Sequence, residues 1–180
     1  EVKADVPLDA LYKAYHVGAR ADKGFYAMDL ITEILGGGGS SRLFQSLVQE
    51  TSLFSNIECY HLGSTDPGIL VIEGKLIRGV PMEKANQGVE EEIKKLNAAR
   101  IEEKELTKVK NKTESAILFE DMSLMNRASN LAMYELMGDA AYMNTELQKY
   151  KEVTREEILE SGNLIFDERN SNTLFYYRNN

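Results

Sequence analysis

Alternating apolar and polar positions predict β-strands in several parts of the chain. Residues 11–17 alternate and stop at Gly18, which predicts a first strand. Residues 54–62 and 69–76 have the same character and flank a connection that contains Asp66-Pro67-Gly68. We therefore predict that these two runs form an antiparallel hairpin and that residues 172–177 add a last strand.

Apolar residues spaced three and four apart predict helices in the remaining segments. Asp22 is placed to cap a first helix, which the glycines from Gly36 onward would end. Ser40 or Ser41 is placed to cap a second helix. Later helices are predicted to begin at Pro81, to cover 103–120, 122–137 and 141–150, and to begin at a capping box at Thr154.

Two of the later helices carry more specific expectations. Glu90 and Lys94, and likewise Glu91 and Lys95, are four residues apart, so we expect ion pairs on a solvated outer face. The Met-rich stripe in 122–137 is expected to fill the core, because methionine adapts to irregular apolar gaps.

The order of the elements predicts the fold class. A strand, two helices, a hairpin, several helices and a final strand indicate an α+β fold, with helices packed on one face of a mostly antiparallel sheet. A chain of 180 residues is long enough to bury roughly two thirds of its unfolded surface. We find no linker composition, so residues 1–180 are predicted to form a single domain.

Composition argues against two classes of partner. The chain has 21 Lys and Arg against 29 Asp and Glu, and the net charge of 21 − 29 = −8 has the wrong sign for binding nucleic acid. No apolar run approaches the roughly 20 residues that span a bilayer, so this piece is expected to be soluble. An export signal upstream of Glu1 would make it periplasmic or extracellular, and the compartment is left open.

Residues that often carry catalysis do not form a recognisable site. His16 and His61 fall on separate predicted strands, and neither belongs to an H-x-x-E-H zinc motif. Cys59, the single cysteine, is expected to be a small buried hydrophobe. Glu58 and Glu73 are expected on neighbouring strands, but pairs of surface charges across strands are common and do not indicate a catalytic site. The glycine run lacks the lysine of a phosphate-binding loop and follows a helix, which argues against nucleotide binding. No catalytic or metal-binding residue is predicted.

The segment 35–47, Leu-Gly-Gly-Gly-Gly-Ser-Ser-Arg-Leu-Phe-Gln-Ser-Leu, resembles the L-G-G-G-x-S-S-R-L-F-x-x-L segment of the M16 zinc metallopeptidases. This is the family of pitrilysin, insulysin and the mitochondrial processing peptidase. Segments 66–68, 103–111 and 153–158 resemble further family segments in the same order, so the resemblance covers nearly the whole chain. Because the zinc motif is missing, the chain is identified as similar to the second, C-terminal, inactive M16 domain.

This resemblance implies a function that depends on a partner. In M16 subunits one α+β domain carries zinc, and a later domain closes over the peptide as the far wall of a chamber. The resemblance therefore implies no cofactor in this domain, zinc in the partner half, and no cleavage by the domain alone. The implied partners are an H-x-x-E-H-bearing catalytic half, on the same or a sister chain, and a peptide substrate. The residues expected to contact that substrate are Gly37, Gly38, Gly39, Ser40, Arg42, Ser55, Asn56 and Tyr60.

Two positions depart from the family pattern. Many active members carry an Arg and a Tyr seven residues apart in this domain, and Val48 and Ser55 occupy those positions here. Either a sister subunit supplies the pair, or Tyr60 and Arg42 compensate, or the domain is mainly scaffold. A structural or assembly module of the M16 fold without peptidase activity is the alternative function.

Overall fold

The computed structural model describes residues 1–63 and 65–179. Its strands are β1 (Val2–Ala4), β2 (Ala10–Val17), β3 (Phe54–Leu62), β4 (Gly68–Leu76) and β5 (Ser171–Arg178). Its α-helices are α1 (Phe25–Gly36), α2 (Met82–Ala98), α3 (Glu103–Glu120), α4 (Leu124–Leu136), α5 (Glu146–Glu152) and α6 (Arg155–Ile165). A π-helix covers Phe44–Glu50, and short 3-10 helices cover Ala140–Asn144 and Glu168–Asn170.

The strands form one mostly antiparallel sheet, in the order β1-β5-β2-β4-β3. The predicted hairpin is confirmed, since β3 and β4 pair antiparallel, with Glu58 opposite Glu73. Strand β2 pairs antiparallel with both β4 and β5. The sequence prediction missed β1, a short strand that pairs parallel to β5 with Val2 opposite Tyr176. Three residues are too few to show an alternating pattern.

The core lies between the sheet and helices α1, α2 and α6. Leu11 and Tyr15 of β2 point into it, and the Tyr15 ring meets the Phe166 ring edge to face at 4.9 Å. Strand β3 contributes Ile57 and Cys59, both buried. Burial raises the pKa of the Cys59 thiol, as expected for a cysteine that serves as a small hydrophobe. The predicted α+β fold with helices on one sheet face is confirmed.

Two predicted helix caps are wrong. The carboxylate of Asp22 accepts the Ala19 N–H at 2.8 Å, because the chain turns between these residues, and α1 instead begins after Gly24. Neither Ser40 nor Ser41 caps the next helix, and the Ser41 hydroxyl is buried without a partner among the described residues.

The second helix is also of a different type from the one predicted. It is a π-helix, in which Thr51 donates its N–H to the Ser46 carbonyl five residues earlier, at 3.1 Å. The capping box of α6 is confirmed. Glu157 donates its N–H to the Thr154 hydroxyl at 3.1 Å, and the Glu157 carboxylate accepts the Thr154 N–H at 2.8 Å.

The charge run of α2 does not form the predicted pairs on a solvated face. Glu90 instead accepts a hydrogen bond from Lys13 of β2 at 3.2 Å. Lys95 bonds Glu92, three residues away, at 2.6 Å, and Glu92 is buried. Tertiary packing therefore overrides the four-residue spacing, because Glu90 faces the sheet.

The expectation that the Met-rich stripe fills the core of this chain is wrong. Leu124, Met125 and Leu136 of α4 are 81%, 74% and 75% exposed, and Tyr134 is the buried residue of this helix. The predicted helix at 141–150 is divided into a 3-10 turn and α5. In the part of the chain that the structure describes, no helix is both long and apolar enough to cross a membrane.

Candidate functional site

The sheet has one face that the helix layer does not cover. Lys13 of β2 bonds Asn86 of α2 at 2.9 Å, and Tyr15 packs on Phe166, so the odd-numbered residues of β2 point toward the helices. Successive side chains of a strand point to opposite faces, so Tyr12 points to the other side. We call this side the open sheet face. Strand register adds to it Asn56, Glu58, Tyr60, Val71, Glu73, Lys75, Leu174 and Tyr176.

Two tyrosines and a glutamate form the centre of the open sheet face. The Tyr60 hydroxyl donates to Glu73 Oε2 at 3.1 Å, and the Tyr12 hydroxyl lies 3.4 Å from Glu73 Oε1. Beside them, the Asn56 side-chain amide N–H donates a hydrogen bond to the Glu58 carboxylate at 2.8 Å. Three neighbouring strands thus bring together phenol, carboxylate and amide groups that can bond a peptide backbone or a cationic side chain.

The electrostatics of this cluster follow from partial burial beside a carboxylate. Burial raises the pKa of Tyr60 and of Tyr12, and the neighbouring Glu73 carboxylate raises both further. Both tyrosines therefore remain phenols at neutral pH and keep their hydroxyl protons. The cluster combines neutral hydroxyls with two carboxylates, Glu58 and Glu73, and is suited to hydrogen-bond donors or cations.

The glycine run lies at the end of α1, against β3 and α3. A side chain at Gly36 would place its Cβ 2.0 Å from the Cys59 backbone nitrogen, so only glycine lets the helix approach this strand so closely. Gly38 has a φ of 95°, which again favours glycine. The Gly37 and Ser40 carbonyls accept hydrogen bonds from Lys112 and Lys108 of α3. Two lysines therefore hold the loop in place.

Arg42 is held by α3 through a two-point ion pair. Its Nε donates to Glu105 Oε1 at 2.8 Å and its Nη2 to Oε2 at 2.6 Å. These bonds raise the pKa of Arg42. Bidentate pairs of this kind fix orientation as well as charge, so Arg42 joins the loop to α3.

The structure divides the eight residues expected to contact substrate into two groups. Asn56 and Tyr60 belong to the open sheet face. Ser55 precedes Asn56 on the edge strand β3, at a register shift between Phe54 and Asn56, and its hydroxyl donates to the Lys75 carbonyl at 3.0 Å. Gly37, Gly38, Gly39, Ser40 and Arg42 lie together beside α3, in the helix layer. Val48, at the family's Arg position, packs against the core.

The residues present do not fit a zinc site. His16 and His61 lie on separate strands, and His61 Nδ1 sits 3.2 Å from Asp29 and its ring packs on Phe25. Within residues 1–63 and 65–179, no cluster of three or more His, Cys, Asp or Glu is arranged to hold a metal ion. No chemical step can be assigned to a metal held by these residues.

A buried polar network that sequence reasoning missed joins α4 and α5 to α1 and to Arg20, which precedes α1. Arg20 donates to the Tyr134 hydroxyl at 3.0 Å and forms an ion pair with the buried Glu146. The Tyr150 hydroxyl donates to Asp29 at 2.6 Å. These partners are 114 to 126 residues apart in the sequence, and no local motif indicates them.

Comparisons with known proteins place this geometry in a family. The family model described as the peptidase M16 inactive domain matches residues 1–113. YmxG of Bacillus subtilis, named an uncharacterized zinc protease, is 26% identical over 158 residues, which are 88% of this chain and 35% of YmxG.

Two solved structures have the same fold. A protease from Helicobacter pylori superposes with a TM-score of 0.91 at 22% identity, covering 98% of this chain and 42% of that one. An inactive peptidase domain from Bordetella parapertussis superposes with a TM-score of 0.86 at 19% identity, covering 98% of this chain and 94% of that domain. The chain therefore spans less than half the length of YmxG and of the Helicobacter protease. Since the family model covers more than half of its residues, and as its glycine run indicates, the chain belongs to the peptidase M16 inactive-domain family.

Proposed function

We propose that this chain is the non-catalytic half of an M16-type zinc peptidase and forms the wall of a peptide-enclosing chamber opposite a zinc-bearing half. Family membership supports the first part of this proposal. We also infer that residues 1–180 fold as one domain, because β1 and β5, from opposite ends of the chain, pair in one sheet.

The observation that carries the wall function is the open sheet face. Helices pack on the other side of the sheet, and Tyr12, Tyr60 and Glu73 make a polar aromatic centre on this side. A wall that holds a peptide needs hydrogen-bonding groups and aromatic surface without a nucleophile or a metal of its own. The open sheet face offers this combination.

Ser55, Asn56 and Tyr60 are proposed to contact the peptide directly, since Asn56 and Tyr60 lie on the open sheet face and Ser55 lies at its edge. Gly38, Gly39 and Ser40 are exposed and are available at the border of the domain. We assign Arg42 and Gly37 a positioning role, because their contacts with Glu105 and Lys112 attach the loop to α3.

The direct test combines this chain with a catalytic half that carries the H-x-x-E-H motif and follows cleavage of an unstructured peptide. Cleavage above the rate of the catalytic half alone is expected. The absence of any gain, with binding of the two halves demonstrated, would contradict the wall function.

A matched pair of variants locates the contact surface. Tyr60→Ala removes a phenol from the open sheet face, and a several-fold increase in KM is expected because a contact made before the chemical step is lost. Tyr142→Ala removes an exposed tyrosine from the 3-10 turn before α5 and should leave KM unchanged. Equal KM values for the two variants would argue against contact through Tyr60.

One observation favours the alternative of a structural or assembly module. The positions of the family's Arg and Tyr hold Val48, which packs against the core, and Ser55, whose hydroxyl bonds the Lys75 carbonyl. Neither can hold a substrate carbonyl as an arginine or a tyrosine would. Tight association of the two halves without any gain in cleavage is the outcome expected for this alternative.

A further inference from the structure

Helix α4 presents its apolar side to solvent and a more polar side to the rest of the domain. Leu124 and Leu131 are seven residues apart, and Met125 and Leu136 are eleven apart, so these pairs lie on one broad face of the helix. All four are exposed. A surface helix normally has the opposite arrangement, with its apolar stripe toward the core.

The orientation of α4 is fixed by its other side. Tyr134 is buried and accepts a hydrogen bond from Arg20, whose guanidinium also packs over the Tyr134 ring. Asn130, four residues earlier on the same side, lines a cavity of about 310 Å³ together with Arg20 and Glu146. Reversing the helix would expose Tyr134 and separate it from Arg20. The outward apolar face is therefore a feature of the folded domain.

The apolar surface continues from α4 along the chain onto the end of α3. Phe119 and Met122 are 73% and 79% exposed, and the Met122 N–H bonds the Phe119 carbonyl at 3.2 Å in the turn between the helices. We define the α3–α4 patch as Leu118, Phe119, Met122, Leu124, Met125, Leu131 and Leu136. Seven large exposed side chains in one stretch of 19 residues are typical of an interaction surface rather than of scattered surface apolar residues.

We propose that the α3–α4 patch is the docking surface for the catalytic half of the peptidase, an inference that rests on the proposed function. Two relatives are more than twice as long as the matched region, since the chain covers 35% of YmxG and 42% of the Helicobacter protease. A polypeptide of at least equal size is thus available in such proteins to cover the patch. The α3–α4 patch is then buried in the interface between the two halves.

Charge argues against two other occupants of the patch, a second copy of the chain and a membrane surface. The chain carries a net charge of −8, so two copies repel each other and an anionic membrane surface repels the domain. The patch itself consists of apolar side chains, with methionine and phenylalanine prominent, a composition enriched at the buried centres of protein interfaces. A protein partner other than a second copy fits this surface best.

The test measures association of the chain with the catalytic half, produced as a separate polypeptide. The double variant Leu124→Glu, Leu136→Glu is compared with Leu164→Glu on α6, whose side chain is also exposed, at 76%. We expect the double variant to raise the dissociation constant by about 30-fold or more, because it places two charges at a desolvated centre. The control should change it by less than about threefold.

The outcomes separate this inference from the proposed function. Unchanged affinity in the double variant, or an equal loss in the control, overturns the docking surface, whatever the peptide cleavage shows. Loss of affinity in the double variant but not in the control supports the docking surface. This holds even if the wild-type complex gives no gain in cleavage, in which case only the wall function fails.

Two further measurements address the other occupants. A wild-type chain that sediments as a dimer, with the double variant a monomer, would overturn the proposal in favour of a second copy. Binding of the wild-type chain to vesicles of phosphatidylglycerol and phosphatidylethanolamine, abolished in the double variant, would overturn it in favour of a membrane surface. A monomeric chain that does not bind these vesicles supports the proposal.

Discussion

Helices α1 and α4 have the same kind of apolar spacing and opposite surroundings. In α1 the apolar residues are buried in the core, and Leu30, Ile31 and Leu35 have no exposed surface. In α4 the stripe faces solvent, and a single tyrosine is buried. Periodicity thus identifies the side of a helix that needs a partner, but it does not say whether this chain supplies that partner. The contrast predicts that equivalent substitutions in the two helices have unequal consequences.

The largest effect is expected from Leu30→Ala in α1. Removing this fully buried leucine side chain leaves a cavity in the core around α1, and we expect the free energy of unfolding to fall by about 2–5 kcal/mol in urea denaturation. Leu164→Ala, which changes an exposed leucine on α6, serves as the control and should cost less than about 0.5 kcal/mol. Equal losses would mean that burial does not distinguish these positions.

The attachment of α4 is tested by Arg20→Leu. This change leaves the buried Glu146 carboxylate without its cation and Tyr134 without its donor, and we expect a loss of about 2–3 kcal/mol in the free energy of unfolding. Amide hydrogen exchange should accelerate more in α4 than in α1. Arg100→Leu, which breaks an exposed pair with Glu156, should cost less than about 1 kcal/mol. Uniform exchange in both helices would contradict the anchoring role of Arg20.

The close contact of α1 with β3 is tested within the glycine run. Gly36→Ala would place a methyl group 2.0 Å from the Cys59 backbone nitrogen, so the helix end must move, at a cost of about 1–3 kcal/mol in unfolding free energy. Gly39→Ala is the matched control, because the nearest atom to its Cβ would be 4.0 Å away. A Gly36→Ala variant as stable as Gly39→Ala would show that α1 does not approach the strand this closely.

The two helices also differ in how well the sequence predicts their surroundings. The bounds of α3 and the capping box of α6 could be predicted, because period, caps and neighbouring residues all act locally. The burial of α1 followed from its apolar stripe. The exposure of α4 did not, because it depends on Arg20 and Tyr134, which are 114 residues apart. Long-range polar contacts leave no periodic signal.

For the candidate site too, the sequence predicted the local placement of residues and missed the contacts between distant parts of the chain. Asn56 and Tyr60 could be placed on a strand by alternation and by the resemblance to the M16 family. Their meeting with Tyr12 depends on strand β4, which lies between β2 and β3 and brings in Glu73. The order of strands in a sheet does not follow from the strand patterns alone. Arg42 was expected near the substrate, and its bond to Glu105 of α3 again joins residues far apart in the chain.

The polar side of the α1 contact is tested by Tyr150→Phe with pH as a variable. Loss of the hydroxyl bond to Asp29 should lower the free energy of unfolding by about 1–2 kcal/mol at pH 7. Burial and the Asp29 carboxylate raise the pKa of Tyr150 in the folded domain, whereas a tyrosine in the unfolded chain has a pKa of about 10. The stabilisation is therefore present below about pH 10 and falls as pH rises above it.

The Tyr150→Phe variant lacks this ionisation, so its unfolding free energy should fall less steeply than that of the wild type above about pH 10, and the two curves should converge. Tyr142→Phe, at an exposed tyrosine, serves as the control at pH 7 and should change the unfolding free energy by less than about 0.5 kcal/mol. Parallel curves for Tyr150→Phe and the wild type would mean that Tyr150 titrates equally in the folded and unfolded states.

The smallest effect on the free energy of unfolding is expected from a leucine on the exposed face of α4. Leu136→Ala removes a large apolar side chain from α4, yet this side chain is 75% exposed, so the unfolding free energy of the chain alone should change by less than about 0.5 kcal/mol. The same change at Leu30 of α1 is expected to cost several times more. A loss above about 1 kcal/mol at Leu136, measured in the monomeric chain, would mean that its stripe is already covered within this domain. In that case the apolar face of α4 would need no partner, and the difference between the two helices would disappear.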